Sequence, residues 1–362
     1  MHREISKQAI AASNISQYLY NNLGISLKDE FNRKKAEGWV EDGSDWEDNA
    51  PRWLNHFYDP TTGRGLNKGI VTFGEPSLQW GKASSFNSYS WENARDNFYR
   101  ALTETSSESR GNYFADMFRS LCQVIHLIQD KAVPAHTRND AHNAPVVKYD
   151  MYEIYTRDAV GSLTYSGYPT VDIKTFNDFD KFWINNGVGL SEYTNANFFS
   201  RDTIFKNYPH PAKENTTAKL VEQTAKDGKT DKVWYIQGYT SERLAAYSYF
   251  NRWLLPDKWE YNLDNKVHEG YAQKLIPRAV GYSAGLLNYF FRGDIDMIPD
   301  DTRGSGYIIV NNSDEDMNGT FELWYGDTND NRKMIWNGYL SIVPYGKSSN
   351  ITFIKPTDSK ES

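Results

Sequence analysis

The sequence predicts a mainly α protein: a multi-helix domain over residues 1–295 with a small C-terminal β-strand appendix at 306–355. Two observations predict it. Apolar residues recur at helical spacing through most of the first 300 positions, and beyond Arg292 the period changes to that of short strands between Asn, Asp and Gly turns. The 11 Trp, 25 Tyr and 18 Phe residues supply a core that a disordered chain would lack.

Taken in order, Ile10, Ile15, Leu19 and Leu23 mark a helical stretch over Ile5–Leu23, and Leu27–Glu37 continues as a short helix. Residues 41–88, rich in Asp, Gly, Pro and Ser, read as a long loop region. Helices return at Trp91–Ala101 and Asn112–Lys131, the second stopping near Pro134, which has no N–H for a helical ladder. Val147–Val160 is a further helix. Residues 161–240 are mixed, and Ser241–Leu254 and Tyr271–Phe291 close the helical part. The Asp294–Gly304 stretch reads as a linker. Strands follow at 307–310, 320–325, 334–336 with 339–343, and 351–354. The loop Asp327–Asn331 lacks the glycine and distal glutamate of a calcium loop and reads as a hairpin turn.

A chain of 362 residues can bury a large core without disulfides, and its single Cys122 permits none internally. A net charge of −7 argues against a broad basic face for duplex DNA. A mean hydropathy of −0.71, with no run of 18 apolar residues, argues against a membrane-spanning helix.

The histidines carry the chemistry. Five of the seven fall in the first 142 residues: His2, His56, His126, His136 and His142. His126 and Asp130 are four apart on a helix whose core stripe is Phe114, Met117, Phe118, Leu121, Ile125 and Ile128. Two polar side chains one turn apart on such a helix are costly to bury unless something pairs with them. A hydrogen-bonded core pair answers that; so does a divalent cation, and His136 just past Pro134 adds a third ligand-type side chain. Imidazole and carboxylate without thiolate suit zinc, ahead of iron or manganese. Asp45, Glu47 and Asp48 read as solvated loop acids, and Arg52 and Arg64 as surface arginines. His210 and His268 read as surface or core histidines, and Cys122 as a small buried residue.

Asp42, then His56-Phe-Tyr-Asp-Pro60 fourteen residues on, then His126-x3-Asp130-x5-His136, resembles the bacterial zinc-dependent phospholipase C family, whose helical fold is shared with single-strand-specific zinc nucleases. The resemblance spans roughly residues 1–295, its motifs lying within 40–160. It implies two to three zinc ions. Asp42, His56, His126 and Asp130 would hold the first, with Asp42 also the general base for the attacking water. Asp130 would bridge to another, held by His2. His136 and Glu153 would hold the remaining one. The family completes that site with a histidine four residues before the glutamate, where this chain has Tyr149, and His142 is the substitute from the loop. Trp53, three residues before His56, matches one wall of an aromatic cage for a choline headgroup, while the position of another wall is Gly43.

The implied activity is a phospholipase C cleaving phospholipid to diacylglycerol and a phosphorylated headgroup. The alternatives are a single-strand nuclease or nucleotidase on the same zinc site, and a non-catalytic lipid- or partner-binding relative, which Tyr149 favours. Expected partners are a phospholipid headgroup or membrane surface, with no stable nucleic-acid complex, on a monomer. Secretion or export to the periplasm is expected, with the signal peptide removed.

Overall fold

The computed structural model describes residues 1–141, 150–159, 171–224, 230–238, 241–247, 260–300 and 306–359. Its centre is α6 (Ser107–Gln129), started by the Ser106 side chain accepting from the Ser109 N–H. From Phe114 onward nearly every residue of α6 is buried, as befits a helix that is apolar almost all round. Around it pack α1 (His2–Ala12), α3 (Ala36–Trp46), α4 (Ser77–Ala83), α5 (Trp91–Thr103) and the long α10 (Asn265–Phe290). The remaining helices, α2 (Ile15–Leu23), α7 (Pro134–Thr137), α8 (Met151–Ala159) and α9 (Leu190–Asn197), are short. The mainly helical reading therefore holds, and among the described residues no helix is long and apolar enough to cross a membrane.

The differences in detail have local causes. The stretch Ile5–Leu23 is two helices, because Ser13 turns extended and its hydroxyl donates back to the Ile10 carbonyl. Leu27–Glu37 is no single helix. Asn32 and Arg33 both take positive φ, 49° and 63°, and turn β1 (Glu30–Phe31) into β2 (Lys34–Lys35) before α3 begins. Helix α3 also claims residues expected in a loop. Its Gly43 lies against α6, where a Cβ would come 2.9 Å from the Arg119 carbonyl and 3.0 Å from the Cys122 Cβ. Only glycine lets the two helices approach so closely. Between α3 and α4 lies a small hairpin, β3 (Asn67–Lys68) with β4 (Val71–Thr72).

A four-stranded antiparallel sheet in the order β5 (Thr217–Thr224), β6 (Thr230–Gln237), β7 (Arg243–Tyr247), β8 (Tyr261–Asn262) was not foreseen. Within the helix expected at Ser241–Leu254, Arg243–Tyr247 is a strand, and residues 248–259 lie outside the described residues. Leu244, Ala245 and Ala246 are helix formers, but their strand pairs with β6, and from Ala246 with β8 as well, so they are buried in the sheet and tertiary context overrides their propensity.

Strand structure resumes at β9 (Ile295–Pro299), inside the expected linker, because it pairs with β10 (Tyr307–Asn311). β11 (Met317–Gly326) and β12 (Arg332–Ile342) form a long hairpin. Ile351 only bridges Tyr307 and starts no strand. Asp327 makes the hairpin turn by accepting from the Asn329 and Asn331 N–H groups at 2.9 Å each. Ile309, Leu340, Ile342 and Ile351 form a small core of their own. The turn is fastened to the helices by Arg110, whose guanidinium donates to the carbonyl and carboxylate of Asp330 at 2.9 and 3.0 Å.

Candidate metal centre

Four chain segments deliver side chains to one buried spot at the C-terminal end of α6. His126 and Asp130 come from α6 and the turn ending it, and both are essentially inaccessible to solvent. His2 opens α1 and stacks on His126 with ring centroids 3.8 Å apart. His56 follows a short 3-10 turn, Arg52–Asn55, and His136 sits in α7, whose first residue is Pro134. The motifs of His56 and His136 are joined directly, the Tyr58 N–H donating to the His136 carbonyl at 2.9 Å. Phe57 packs on the His136 ring at 4.7 Å, so the aromatic residues of this run are packing elements.

Asp130 is the hub. One carboxylate oxygen faces His2 Nε2 and His136 Nδ1, each at 3.4 Å, and the other faces His56 Nδ1 at 2.9 Å and His126 Nε2 at 3.5 Å. Three overlapping groups have ligand atoms within 4.8 Å of one another: His2 with His126 and Asp130, His56 with Asp130 and His136, and Asp48 with His56 and His126. Neither Asp130 oxygen accepts a well-directed hydrogen bond, and His126 Nε2 has no partner either, although all three atoms are buried. Orphaned buried polar atoms are costly, and a cation among them removes that cost.

The second nitrogens of the rings are spoken for. His126 Nδ1 donates to the Ser44 carbonyl at 2.5 Å and His2 Nδ1 to Gln129 Oε1 at 2.9 Å. His56 Nε2 donates to the Glu47 carbonyl at 3.2 Å. These bonds fix each tautomer so that the lone pair points inward, the arrangement a metal-ligating histidine needs. Gln129 is itself held by Ser6, to whose hydroxyl it donates at 2.9 Å. Glu153, in the first turn of α8, lies 3.3 Å from His136 Nε2, and Asp150 caps that turn by accepting from the Tyr152 and Glu153 N–H groups.

The electrostatics follow from crowding. Burial and the neighbouring His126 pull His2 down to about 4. For His126 burial opposes the charge, but Asp48 and Asp130 outweigh it and raise the imidazole well above its ordinary value. Burial likewise opposes ionised Asp130, yet His136, His126 and His56 hold its carboxyl far below the usual range. Lys131, buried beside it and donating to the His56 carbonyl, is brought down to about 7 by desolvation.

The structure thus brings together His2, His56, His126, Asp130, His136 and Glu153. Asp42 it places elsewhere. On α3, Asp42 pairs with Arg3 at 3.1 Å and with Lys34, and it joins none of the ligand groups. The carboxylate beside His126 and His56 is that of Asp48, at 3.5 and 3.8 Å. The cause is helical: α3 already meets His126 at the Ser44 carbonyl and runs on through Trp46. The acid that comes beside the ring is therefore Asp48, just past the helix end, while Asp42 pairs with Arg3 and Lys34. Asp48 and Glu47 are the residues that sequence reasoning missed. Glu47 is fully buried, accepting from Arg52 and from the Trp80 indole at 2.8 Å. Arg52 is accordingly no free surface arginine, while Arg64 is exposed. The signal that singles out Asp48 is that it is the last acid before His56, eight residues on. Gly43, matched to a cage wall, is instead buried between α3 and α6. Trp53 lies half-buried on the turn before His56. His142 and Tyr149 lie outside the described residues.

No family model matches the chain, and no curated protein matches it. Among solved structures it is similar to the Alpha Toxin from Clostridium Absonum, at 16% identity and a TM-score of 0.38, over 99% of this chain and 83% of that one. A likeness so distant transfers no residue roles.

Proposed function

We propose that the chain is a zinc-dependent phosphodiester hydrolase of the phospholipase C type. The observation that supports it is the Asp130 hub: a buried carboxylate with both oxygens lacking hydrogen bonds, faced by four imidazoles, three of them in tautomers set by hydrogen bonds from outside. A nitrogen and oxygen donor set without thiolate suits zinc. His56, His126, Asp130 and Asp48 would hold one ion, with His2 and the pair His136 and Glu153 offering further positions around the shared Asp130. Bound zinc supplies Lewis acidity toward a phosphoryl oxygen and brings the pKa of water toward neutrality.

The chain's own residues supply orientation and proton handling. The Ser44 and Glu47 carbonyls and the Gln129 amide hold three rings in place, so little reorganisation is needed when substrate arrives. Asp48 has the one carboxylate of the cluster with a largely exposed side chain, 59% accessible, and on this reading it would take the proton of an attacking water once bound metal offsets the hold of His126, His2 and His56 on its charged form. The phospholipid substrate rests on the run His56–Pro60 and its spacing to His126 and Asp130.

The test is metal content by plasma emission, paired with turnover of short-chain phosphatidylcholine and of single-stranded DNA, each with and without chelator. Bound zinc with chelator-sensitive lipid cleavage is expected. Cleavage of DNA alone would overturn the lipid reading, and absence of bound metal would overturn the hydrolase reading altogether.

A further inference from the structure

Beside the metal centre the protein has filled its own aromatic faces with cations. The Arg119 guanidinium is sandwiched between Tyr89 and Trp46, with its carbon 3.8 and 4.2 Å from the ring centroids. Lys34 lies over Trp46 and Trp39 at 5.4 and 5.0 Å, and Arg52 over Trp80 and Tyr89 at 5.0 and 5.7 Å. Two of these cations are neutralised. Lys34 pairs with Asp42, and Arg52 with the buried Glu47. Arg119 is not: among the described residues it makes no ion pair within 4 Å and donates no hydrogen bond, and its Nε is buried without an acceptor. The carboxylates nearest in charge terms are Asp116, one turn back on α6, and Glu47, already held by Arg52 and Trp80.

Its position relative to the metal centre is set by two rulers. Along α6, Arg119 precedes His126 by seven residues, which puts both on one face about 10 Å apart along the axis. Across α3, Trp46 on Arg119 and Asp48 on His126 are two residues apart, at most about 7 Å of chain. Two rings lie close to the guanidinium carbon, and among the described residues its N–H donors have no acceptor. A planar fork of this kind is suited to a phosphate oxygen pair.

We infer that Arg119, held by Trp46 and Tyr89, is a subsite for a second phosphate on the substrate, so that a phospholipid with a phosphorylated headgroup is preferred over one with an ammonium headgroup. The inference rests on the phosphodiester hydrolase reading and deepens it. An ammonium group approaching these rings meets faces that already hold a like charge, whereas a phosphomonoester meets an unpaired one.

A matched pair of substrates tests it: phosphatidylinositol and phosphatidylinositol 4-phosphate, in neutral detergent micelles with zinc-loaded protein. The 4-phosphate form should show about tenfold higher kcat/KM, carried by KM. Arg119→Gln should bring the ratio within about twofold of one, and Arg119→Lys should retain part of it, because the charge stays while the fork is lost. Metal content and circular dichroism of each variant accompany the kinetics. In the unaltered protein the preference should shrink between 50 and 500 mM salt, as expected for a partly exposed charge, which gives a reading even where Arg119→Gln fails to fold. A ratio near one in the unaltered protein, a folded metal-replete Arg119→Gln with an unchanged ratio, or a preference indifferent to salt would overturn the inference while leaving the hydrolase reading intact. Chelator-sensitive cleavage of an oligonucleotide with neither lipid cleaved would overturn the lipid occupant and the lipid reading together.

Discussion

Asp48 and Asp42 are six residues apart, carry the same charge, and differ in what the fold does with them. That difference makes a sharp experiment of Asp48→Asn against Asp42→Asn. Asparagine keeps the shape and removes the charge. At position 48 it removes a carboxylate 3.5 Å from His126 Nε2 and 3.8 Å from His56 Nδ1, both rings with almost no exposure. A charged group in such a setting contributes about 2 kcal/mol, equivalent to about a 30-fold weaker metal site. At position 42 the same change removes ion pairs to Arg3 and Lys34 whose side chains are 44% and 30% exposed. Exposed pairs of that kind contribute about 0–1 kcal/mol, and none of it reaches the metal.

The assay is a competitive zinc titration against a fluorescent chelator at fixed pH, with thermal denaturation in parallel. Asp48→Asn should weaken zinc by one to two orders of magnitude, and Asp42→Asn should leave zinc affinity within about twofold while shifting the melting temperature by a few degrees at most. The reverse order, with Asp42→Asn losing zinc and Asp48→Asn holding it, would refute the reasoning and restore Asp42 as the ligand. Equal, small effects would refute it too, since the Asp48 carboxylate would then make no use of its position.

Three further outcomes are expected. Gln129→Ala takes away the acceptor of His2 Nδ1, and zinc bound through His2 should weaken by about tenfold in the same titration while the other ions stay. Gly43→Ala places a methyl group 2.9 Å from the Arg119 carbonyl, and although alanine is the better helix former, the overpacking should cost about 1–2 kcal/mol net by urea denaturation. His268, buried on α10 against Tyr152 and Tyr155 of α8 and pushed down to about 4 by desolvation, stays neutral in the fold at pH values where the unfolded chain is protonated. Stability should therefore be lost as pH falls from about 6.5 toward 4, by up to about 3 kcal/mol. Urea midpoints of His268→Gln and the unaltered protein should converge over that range, and parallel curves would count against it.

Much of the fold was legible because helical period is a local property. The burial of α6 follows from Phe114, Met117, Phe118, Leu121, Ile125 and Ile128, and its end follows from Pro134. The sheet of β5 to β8 was illegible for the converse reason. Leu244, Ala245 and Ala246 favour helix by themselves, and only pairing of their strand with residues 6 to 16 positions away in sequence makes them a strand. The strand at Ile295–Pro299 hides similarly: Asp, Pro and Gly nearby read as linker, while pairing with Tyr307–Asn311 decides the matter.

The site divides along the same line. His126, Asp130 and His136 are placed by one helix and its stop, so their convergence could be read from spacing alone. The carboxylate supplied across the fold could not. Asp42, Asp45, Glu47 and Asp48 are four acids within seven residues, and composition gives each the same claim. What separates them is where α3 ends and how closely it lies on α6, and that is set by Gly43, a residue with no chemistry of its own. Its missing side chain lets the Ser44 carbonyl reach His126, which fixes that ring's tautomer and leaves the chain emerging from α3 with Glu47 against Trp80 and Asp48 beside His126 and His56. The residue that decides which acid faces the imidazoles is thus the glycine of a helix contact, and a search for ligand-type residues by spacing passes over it.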